Sequence, residues 1–462
     1  MIPAMETTLP NFFLADLPPE AALSARMIGE ACQTLKRNRE RYLAGRSTAS
    51  RVDLLSAVAR EWLDGNYPLR QLALAQGPAA TGFSRATLAS GLDAFFKQLT
   101  RENLLVLLQQ DLGHRQRLDQ FVSTDPEEGQ GRAATITAPE LLAHVTAGRL
   151  PNPVLMSIIL GVLTRSAQFV KCASGAAFLP RLFAHSLHQA EPKLGACLEI
   201  AEWPGGNIEL ESALFEEADC VTATGSDETL AAIRQRLPAK TRFLGYGHRV
   251  SFAFVTGSVL SGLNARRIVA HAATDVVAWN QLGCLSPHVI YVEQGGGVLP
   301  EQFAEMLAEE LAHREESEPR GELPVEAASA IASRRSFYEL RAAHSPDTRH
   351  WFSKESTFWT VIYEADPRFQ LSCLNRFIYV KSAAHLTDAL QNADAVRGKV
   401  STVGLAAPED KAQALATELA RWGVTRVCPL GHMQNPPLTW RHDGRPALAD
   451  LVAWTDWEMP DV

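Results

Sequence analysis

No Cys-x-x-Cys pair occurs in this 462-residue sequence, and its seven cysteines (Cys32, Cys172, Cys197, Cys220, Cys284, Cys373 and Cys428) are scattered and odd in number. A disulfide framework and a structural zinc site are therefore unsupported, and no metal is expected. Long apolar runs are missing too. The longest, Pro153 to Leu163, is too short to span a bilayer. The start of the chain lacks the basic, apolar, small-residue order of a signal peptide, so a cytoplasmic protein without a membrane span is expected. Basic tracts are scarce. With a net charge of −8 and a pI near 5.9, a nucleic-acid partner is not expected. The densest basic cluster, Lys36, Arg37, Arg39 and Arg41, alternates with polar residues and reads as the solvated face of a helix. Gly-x-Ser-x-Gly, Walker and His-Glu-x-x-His motifs are all absent. "GYGHRV" (245–250) opens like a dinucleotide glycine fingerprint, but Val250 stands at the third glycine position.

What remains is an ordinary globular composition, 46% hydrophobic and 21% charged, in a chain long enough for two or three domains. Residues 1–130 read as mainly helical: Leu54, Val58 and Trp62, then Leu105 and Leu108, recur at helical spacing. The polar stretch "STDPEEGQGR" (123–132) reads as a linker or surface loop. From about residue 140, short apolar runs alternate with helical segments. Strands are expected at 141–148, 167–173, 196–203, 220–225 and 242–247, with helices over 152–164, 178–188 and 228–237. A second alternating unit follows from about 258, with helices at 260–280 and 301–313 and a strand at 288–293. Further β segments fall near 358–381, then "VSTVGLAA", a helix over 409–422 and "TRVCPL". This alternation predicts an α/β fold with a parallel sheet covered on both faces, whose ligands sit at the carboxyl ends of the strands.

Three stretches carry candidate chemistry. In "QFVKCASG" (168–175), Lys171 ends an apolar strand and either snorkels to solvent or meets an anion. In "VTATGSDET" (221–229), Thr224, Gly225 and Ser226 lead into a helix N-terminus, which suits a pyrophosphate or simply an N-cap at Ser226 or Asp227. In "NQLGCLSPHVIYVE" (280–293), Cys284 occupies a helix-to-strand turn beside Gly283. A thiolate there attacks thioesters readily and leaves a high-energy acyl–enzyme; taken alone, the same turn also accommodates a buried structural thiol.

Together, "PNPVL" (151–155), "FVKCAS" (169–174), "TGS" (224–226), "NQLGCLSPHVIYVE" and the tail "RVCPLGHMQNPPLTWRHDGRPALADLVAWTDWE" (426–458) resemble the aldehyde dehydrogenase superfamily. Within it they are most similar to the LuxC-type fatty acyl-CoA reductases. The resemblance covers roughly residues 130–462. It implies an aldehyde-dehydrogenase-like fold: a helical region over 1–130 packed on the cofactor domain, a cofactor domain over 131–257, a catalytic domain over 258–425 and a C-terminal segment over 426–462 that oligomerises or returns to the cofactor domain. A homo-oligomer is expected.

By this resemblance Cys284 is the acylated nucleophile, Lys171 and Ser174 match the Lys-Pro-Ser element at the adenosine ribose, and Thr224, Gly225 and Ser226 lie at the cofactor phosphates. Asn152 matches the oxyanion-binding asparagine. Two departures matter. The acidic residue that holds the ribose hydroxyls is replaced by Gly175, leaving Lys171 or Arg181 to pair with a 2′-phosphate, which implies NADPH. The Glu-Leu-Gly-Gly segment that carries the hydrolytic base is replaced by "FLGYGHR", so no glutamate activates water there and His248 is left as a proton carrier. The implied reaction is reduction of an acyl-CoA or acyl-carrier thioester to an aldehyde through a Cys284 thioacyl–enzyme. The alternatives are a CoA-acylating aldehyde dehydrogenase running oxidatively, an acyl-phosphate reductase, and a non-catalytic subunit that binds an acyl-transfer partner protein.

Overall fold

The computed structural model describes residues 9–18 and 20–459. Helices Ala25–Tyr42, Thr48–Leu63, Pro68–Thr81, Arg85–Phe96 and Arg101–Leu112 build the N-terminal third. Four of them start at a Ser or Thr whose side chain accepts a backbone N–H of the first turn: Ser24, Ser47, Ser84 and Thr100. The strands that follow are β1 (Arg132–Thr137), β2 (Leu141–Val145), β3 (Ala167–Cys172), β4 (Leu198–Glu202), β5 (Cys220–Thr224), β6 (Arg242–Tyr246), β7 (Val250–Val255), β8 (Pro287–Glu293), β9 (Thr348–Phe352), β10 (Thr360–Glu364), β11 (Phe377–Ala383), β12 (Val400–Ala406), β13 (Arg426–Pro429) and β14 (Ala453–Glu458).

Two sheets and a ribbon result. The first sheet is wholly parallel, in the order β4-β3-β2-β5-β6. The second has the order β13-β12-β7-β8-β11-β10-β9 and is parallel except for the edge strand β9. β1 and β14 pair antiparallel as a separate ribbon, Arg132 opposite Glu458.

Side-chain alternation divides each sheet between two cores. Leu142, Val170 and Ile200 face the last four helices of the N-terminal third together with helices Asn152–Leu163 and Phe178–Ala190. Leu141, Ala143 and Phe169 face helices Ala25–Tyr42 and Ile208–Glu217. In the second sheet Ala253, Ile290, Val361 and Ile378 pack on helices Gly262–Val277 and Pro300–Ser317. Phe252, Tyr291, Ile362 and Tyr379 pack on helices Val325–His344, Leu386–Asn392 and Glu409–Trp422.

The structure differs from the expectations in several places. The basic face of Ala25–Tyr42 is partly docked rather than solvated: Lys36 pairs with Glu217 at 2.9 Å and Arg39 donates to the Arg165 carbonyl at 3.0 Å. The polar stretch at 123–132 contains a short helix, Asp125–Glu128, closed by a Thr124–Glu127 capping box. Strand β7 has no counterpart in the sequence reading. It is apolar on both faces and follows β6 after only Gly247, His248 and Arg249, too few residues for a crossover within one sheet. The chain therefore leaves the first sheet and enters the middle of the second.

Candidate active site

That three-residue step fixes the site. It sets the carboxyl end of β6 against the amino end of β7, so the carboxyl rim of the first sheet opens toward the amino rim of the second. Cys284 lies three residues before β8, the parallel neighbour of β7, and His248 lies two residues before β7. Lys171, Ser174, Thr224, Gly225, Ser226 and Asn152 belong to the carboxyl rim: at the end of β3, in the turn after it, at the end of β5, and at the first position of the helix after β2. Cys284 and His248 thus share one rim and the expected cofactor residues share the other.

The turn that carries Cys284 is built by its own sequence. Helix Gly262–Val277 stops short of Asn280, and Trp279, Asn280 and Gln281 all take left-handed φ angles, 50°, 52° and 64°. Three such residues in succession are costly and persist only when their surroundings hold them. Asn280 Nδ2 donates to the Arg320 carbonyl at 2.7 Å. Gln281 Nε2 donates to the carbonyls of Pro287 and Phe377 at 2.7 and 2.9 Å. Trp279 packs on Gly91 of helix Arg85–Phe96, where a Cβ would collide with its ring, and meets Phe83 edge-on at 5.2 Å. Beyond the turn, Ser251 Oγ donates to the Cys284 carbonyl at 2.7 Å, and the Gln434 amide hydrogen-bonds Ser286 and closes over Gly283.

Cys284 is the exposed cysteine of the seven; Cys373 is half-buried and the other five are buried. The residue reaches solvent while protein packs around its sulfur. This desolvation, followed by the charge of Asp443, pushes it up to about 11; its own backbone N–H and the charge of Arg249 pull the other way. The Asp443 side chain is only 5% exposed and accepts no hydrogen bond at either oxygen among the described residues; its backbone φ is 52°, and Arg249 Nε lies 3.4 Å away. The segment 242–249 lacks a glutamate, but the tail brings a carboxylate into the neighbourhood of the thiol. Beside it, His442 stacks on Tyr246 at 4.5 Å, which ties the tail to the end of β6.

On the facing rim, Lys171 is buried, 3% exposed, with its ammonium 5.9 Å over the Trp203 ring. Its ammonium makes no hydrogen bond among the described residues. Desolvation lowers its pKa, and the charges of Glu211, Cys172 and Glu202 oppose that shift. Ser174 is exposed at the turn. Thr224 Oγ1 accepts the Ala147 N–H at 3.1 Å, Gly225 N–H donates to the Tyr246 carbonyl at 3.2 Å, and Ser226 caps helix Asp227–Arg236 through Thr229 N–H at 3.2 Å. Asn152 has a buried Oδ1 without a partner among the described residues. Two parts of the argument from Gly175 are corrected. Arg181 is not free for a 2′-phosphate, because it donates to the Ala15 carbonyl at 3.1 Å and lies 3.4 Å from Asp16. A carboxylate does stand at Gly175: Glu202, from the end of β4, accepts the N–H groups of Gly175 and Ala177 at 2.7 and 3.1 Å.

A buried ammonium, an exposed serine and glycine-bearing turns along one carboxyl rim fit a dinucleotide, whose phosphates suit the Gly225–Ser226 turn and whose ribose suits Lys171 and Ser174. Among the described residues, no group of three or more His, Cys, Asp or Glu is placed to hold a metal ion, and no helix is long and apolar enough to cross a membrane.

Comparison with known proteins decides the family. The model of the acyl-CoA reductases (LuxC) matches residues 43–454. The chain belongs to the LuxC acyl-CoA reductase family. This match reaches well into the N-terminal third, to which the sequence reading could assign no motif. Among relatives of this LuxC chain, the long-chain acyl-protein thioester reductase of Photorhabdus laumondii is 22% identical over 419 residues, covering 88% of the chain and 82% of the relative. That of Aliivibrio fischeri is 22% identical over 421 residues, with the same coverage. Of solved structures, the NADP-dependent glyceraldehyde-3-phosphate dehydrogenase of Bacillus halodurans, complexed with NADP, superposes with a TM-score of 0.72 at 12% identity, covering 95% of this chain and 92% of that one. Proline utilization A of Bradyrhizobium japonicum gives 0.72 at 14% identity; this chain covers 45% of that longer protein. The LuxC chain therefore has the aldehyde dehydrogenase fold.

Proposed function

We propose that this LuxC-family chain reduces an acyl thioester, an acyl-CoA or an acyl group on a carrier protein, to the aldehyde, with Cys284 as nucleophile and NADPH as reductant. The observation that carries the reading is the placement of Cys284: a solvent-reached thiol in a turn fixed by Gln281 and Ser251, on the rim opposite the dinucleotide-compatible turns.

In this mechanism the Cys284 sulfur attacks the acyl carbonyl, the carbon–sulfur bond of the donor breaks, and the donor leaves as a thiol carrying the proton that Cys284 gives up. His248, exposed beside Arg249, carries that proton. The Cys284 N–H and the Asn152 amide are donors for the oxyanion. A bound NADPH would supply the hydride that completes the reduction. Lys171 and Ser174 hold the ribose end of the cofactor, and Gly225 with Ser226 its phosphates. With Glu202 already satisfied by two backbone N–H groups and Gly175 bare, the buried Lys171 is the cation offered to a 2′-phosphate. A homo-oligomer and docking of an acyl-transfer protein are compatible with the exposed ribbon strand β14, where Trp454 and Trp457 are half-exposed.

The test is intact-mass analysis after mixing the protein with acyl-CoA in the absence of cofactor. An acyl adduct is expected on Cys284, absent in Cys284→Ala and discharged by NADPH. An adduct that forms equally well in Cys284→Ala overturns the mechanism. For the cofactor, Glu202→Gln removes a negative charge from the ribose turn and should raise the preference for NADPH over NADH. Equal use of both cofactors by wild type and variant overturns that part.

A further inference from the structure

His288 stands four residues after Cys284 and takes no part in the mechanism above. Strand β8 pairs with β7 through Ser251–Pro287 and then Phe252–Val289, so His288 is an extra residue, a bulge, at the amino rim beside the nucleophile. Bulges in such places re-aim a side chain. Its ring is buried, 7% exposed, and its Nδ1 accepts the Ser372 backbone N–H at 3.1 Å. An amide N–H can only donate, so Nδ1 must carry the lone pair and Nε2 the hydrogen. Ser372 Oγ, 3.1 Å from Nδ1, reinforces this. It accepts from Gln281 Nε2 at 3.3 Å and from Leu374 N–H at 3.2 Å, which leaves its own hydrogen for the imidazole. The network thus runs from Gln281 of the cysteine turn through Ser372 to His288.

The far end of the ring is different. Nε2 meets no protein acceptor among the described residues, and it is not among the sealed atoms that lack a partner. It is a donor with nothing to donate to, on the rim that carries Cys284 and His248. We propose that His288 is a further catalytic residue, an imidazole whose Nε2–H hydrogen-bonds the acyl carbonyl oxygen as Cys284 attacks. This rests on the thioester reading above. Burial, followed by the charge of His248 on the connection before β7, pushes the ring down to about 4, so it stays neutral at working pH. Of its other neighbours, Ser372 and Phe369 carry no charge. A neutral imidazole whose lone pair is committed to Ser372 takes up no proton. It polarises an oxygen that gains charge, so the role is electrophilic.

Three measurements test this. In ¹⁵N-histidine-labelled protein, the His288 ring should remain the Nε2–H tautomer between about pH 8 and pH 5. A ring that becomes doubly protonated near its ordinary pKa overturns the proposal. Single-turnover acylation of Cys284 by acyl-CoA should fall about 100-fold in His288→Phe, the usual loss for one oxyanion donor, and recover in large part in His288→Gln, whose amide restores the N–H. Alkylation of Cys284 by iodoacetamide needs no carbonyl polarisation and should be unchanged in both variants. Acylation at the wild-type rate in His288→Phe, or alkylation falling in parallel with acylation, overturns the proposal. A wild-type protein that forms no adduct with acyl-CoA overturns the thioester reading itself and the role of His288 with it. Loss confined to His288→Phe separates the two.

Discussion

Cys284 is accessible and yet holds its proton, and the residues responsible come from opposite ends of the second half of the chain. Asp443 places a buried negative charge in the field of the thiol while Arg249 offsets part of it. Asp443→Asn keeps the shape, and asparagine tolerates the left-handed backbone there. Removing the charge stabilises the thiolate, so the thiol pKa should fall from about 11 and alkylation near neutral pH should accelerate; an unchanged pH–rate curve for iodoacetamide contradicts this coupling. The sequence made Cys284, Lys171 and the Thr224–Ser226 turn legible because each sits at the end of a recognisable strand or helix. It could not show Asp443, His288 or Glu202. Asp443 reaches the thiol from a distant segment, the role of His288 depends on a one-residue bulge and a serine from another loop, and Glu202 meets Gly175 only because β3 and β4 are neighbours.

At the level of elements, alternation of apolar runs and helical stripes located most strands of both sheets, and helix Glu409–Trp422 starts and ends where its periodicity does. Failures occurred where period and length carry little information. β7 is apolar on both faces, β9 is a short edge strand, and β14 is exposed at every residue, so none shows the alternation of a half-buried strand. The short helix Asp125–Glu128 was hidden because its stability is polar. Glu127 accepts from Arg117 at 2.6 and 3.0 Å, from Thr124 N–H at 2.7 Å and from Thr124 Oγ1 at 2.9 Å. Arg117, then the Thr124 hydrogen bonds, hold the Glu127 carboxyl down at about 2, against an ordinary value of 4.5. Because the folded value is depressed, this stabilisation is present above about pH 4.5 and is lost as pH falls through about 2. Glu127→Gln should therefore unfold more easily than wild type in urea at pH 7, by about 2 kcal/mol. The difference should shrink as the pH approaches 2; a gap of constant size would exclude the linkage.

For the molecule as a whole, the N-terminal third is part of the catalytic body rather than an appendage. Four of its helices share one core with the first sheet and the first packs on that sheet's other face, its Gly91 receives Trp279, and Gln98 and Gln110 donate to the Pro436 and Thr439 carbonyls of the tail at 2.8 and 2.9 Å. The resemblance on which the sequence reading rested began only near residue 130, since packing of this kind leaves no motif. Removal of residues 9–112 should expose the Trp279 ring, release the strained cysteine turn and abolish acylation of Cys284. Retained acylation in the shortened chain would show that the turn holds itself.

The ribbon of β1 and β14 also bears on how the protein is made. All strands of the first sheet lie between Leu141 and Tyr246, so that sheet can close while the rest of the chain is still being synthesised. β7 gains β8 before β12, and the outer edge of β1 stays open until β14 arrives. Before that, β1 is held on its other edge alone, where Ala134 bridges Val122 and Ile136 N–H donates to the Arg117 carbonyl. A strand made before the first sheet is thus completed by one made after the second, and until then its outer edge is open to another chain.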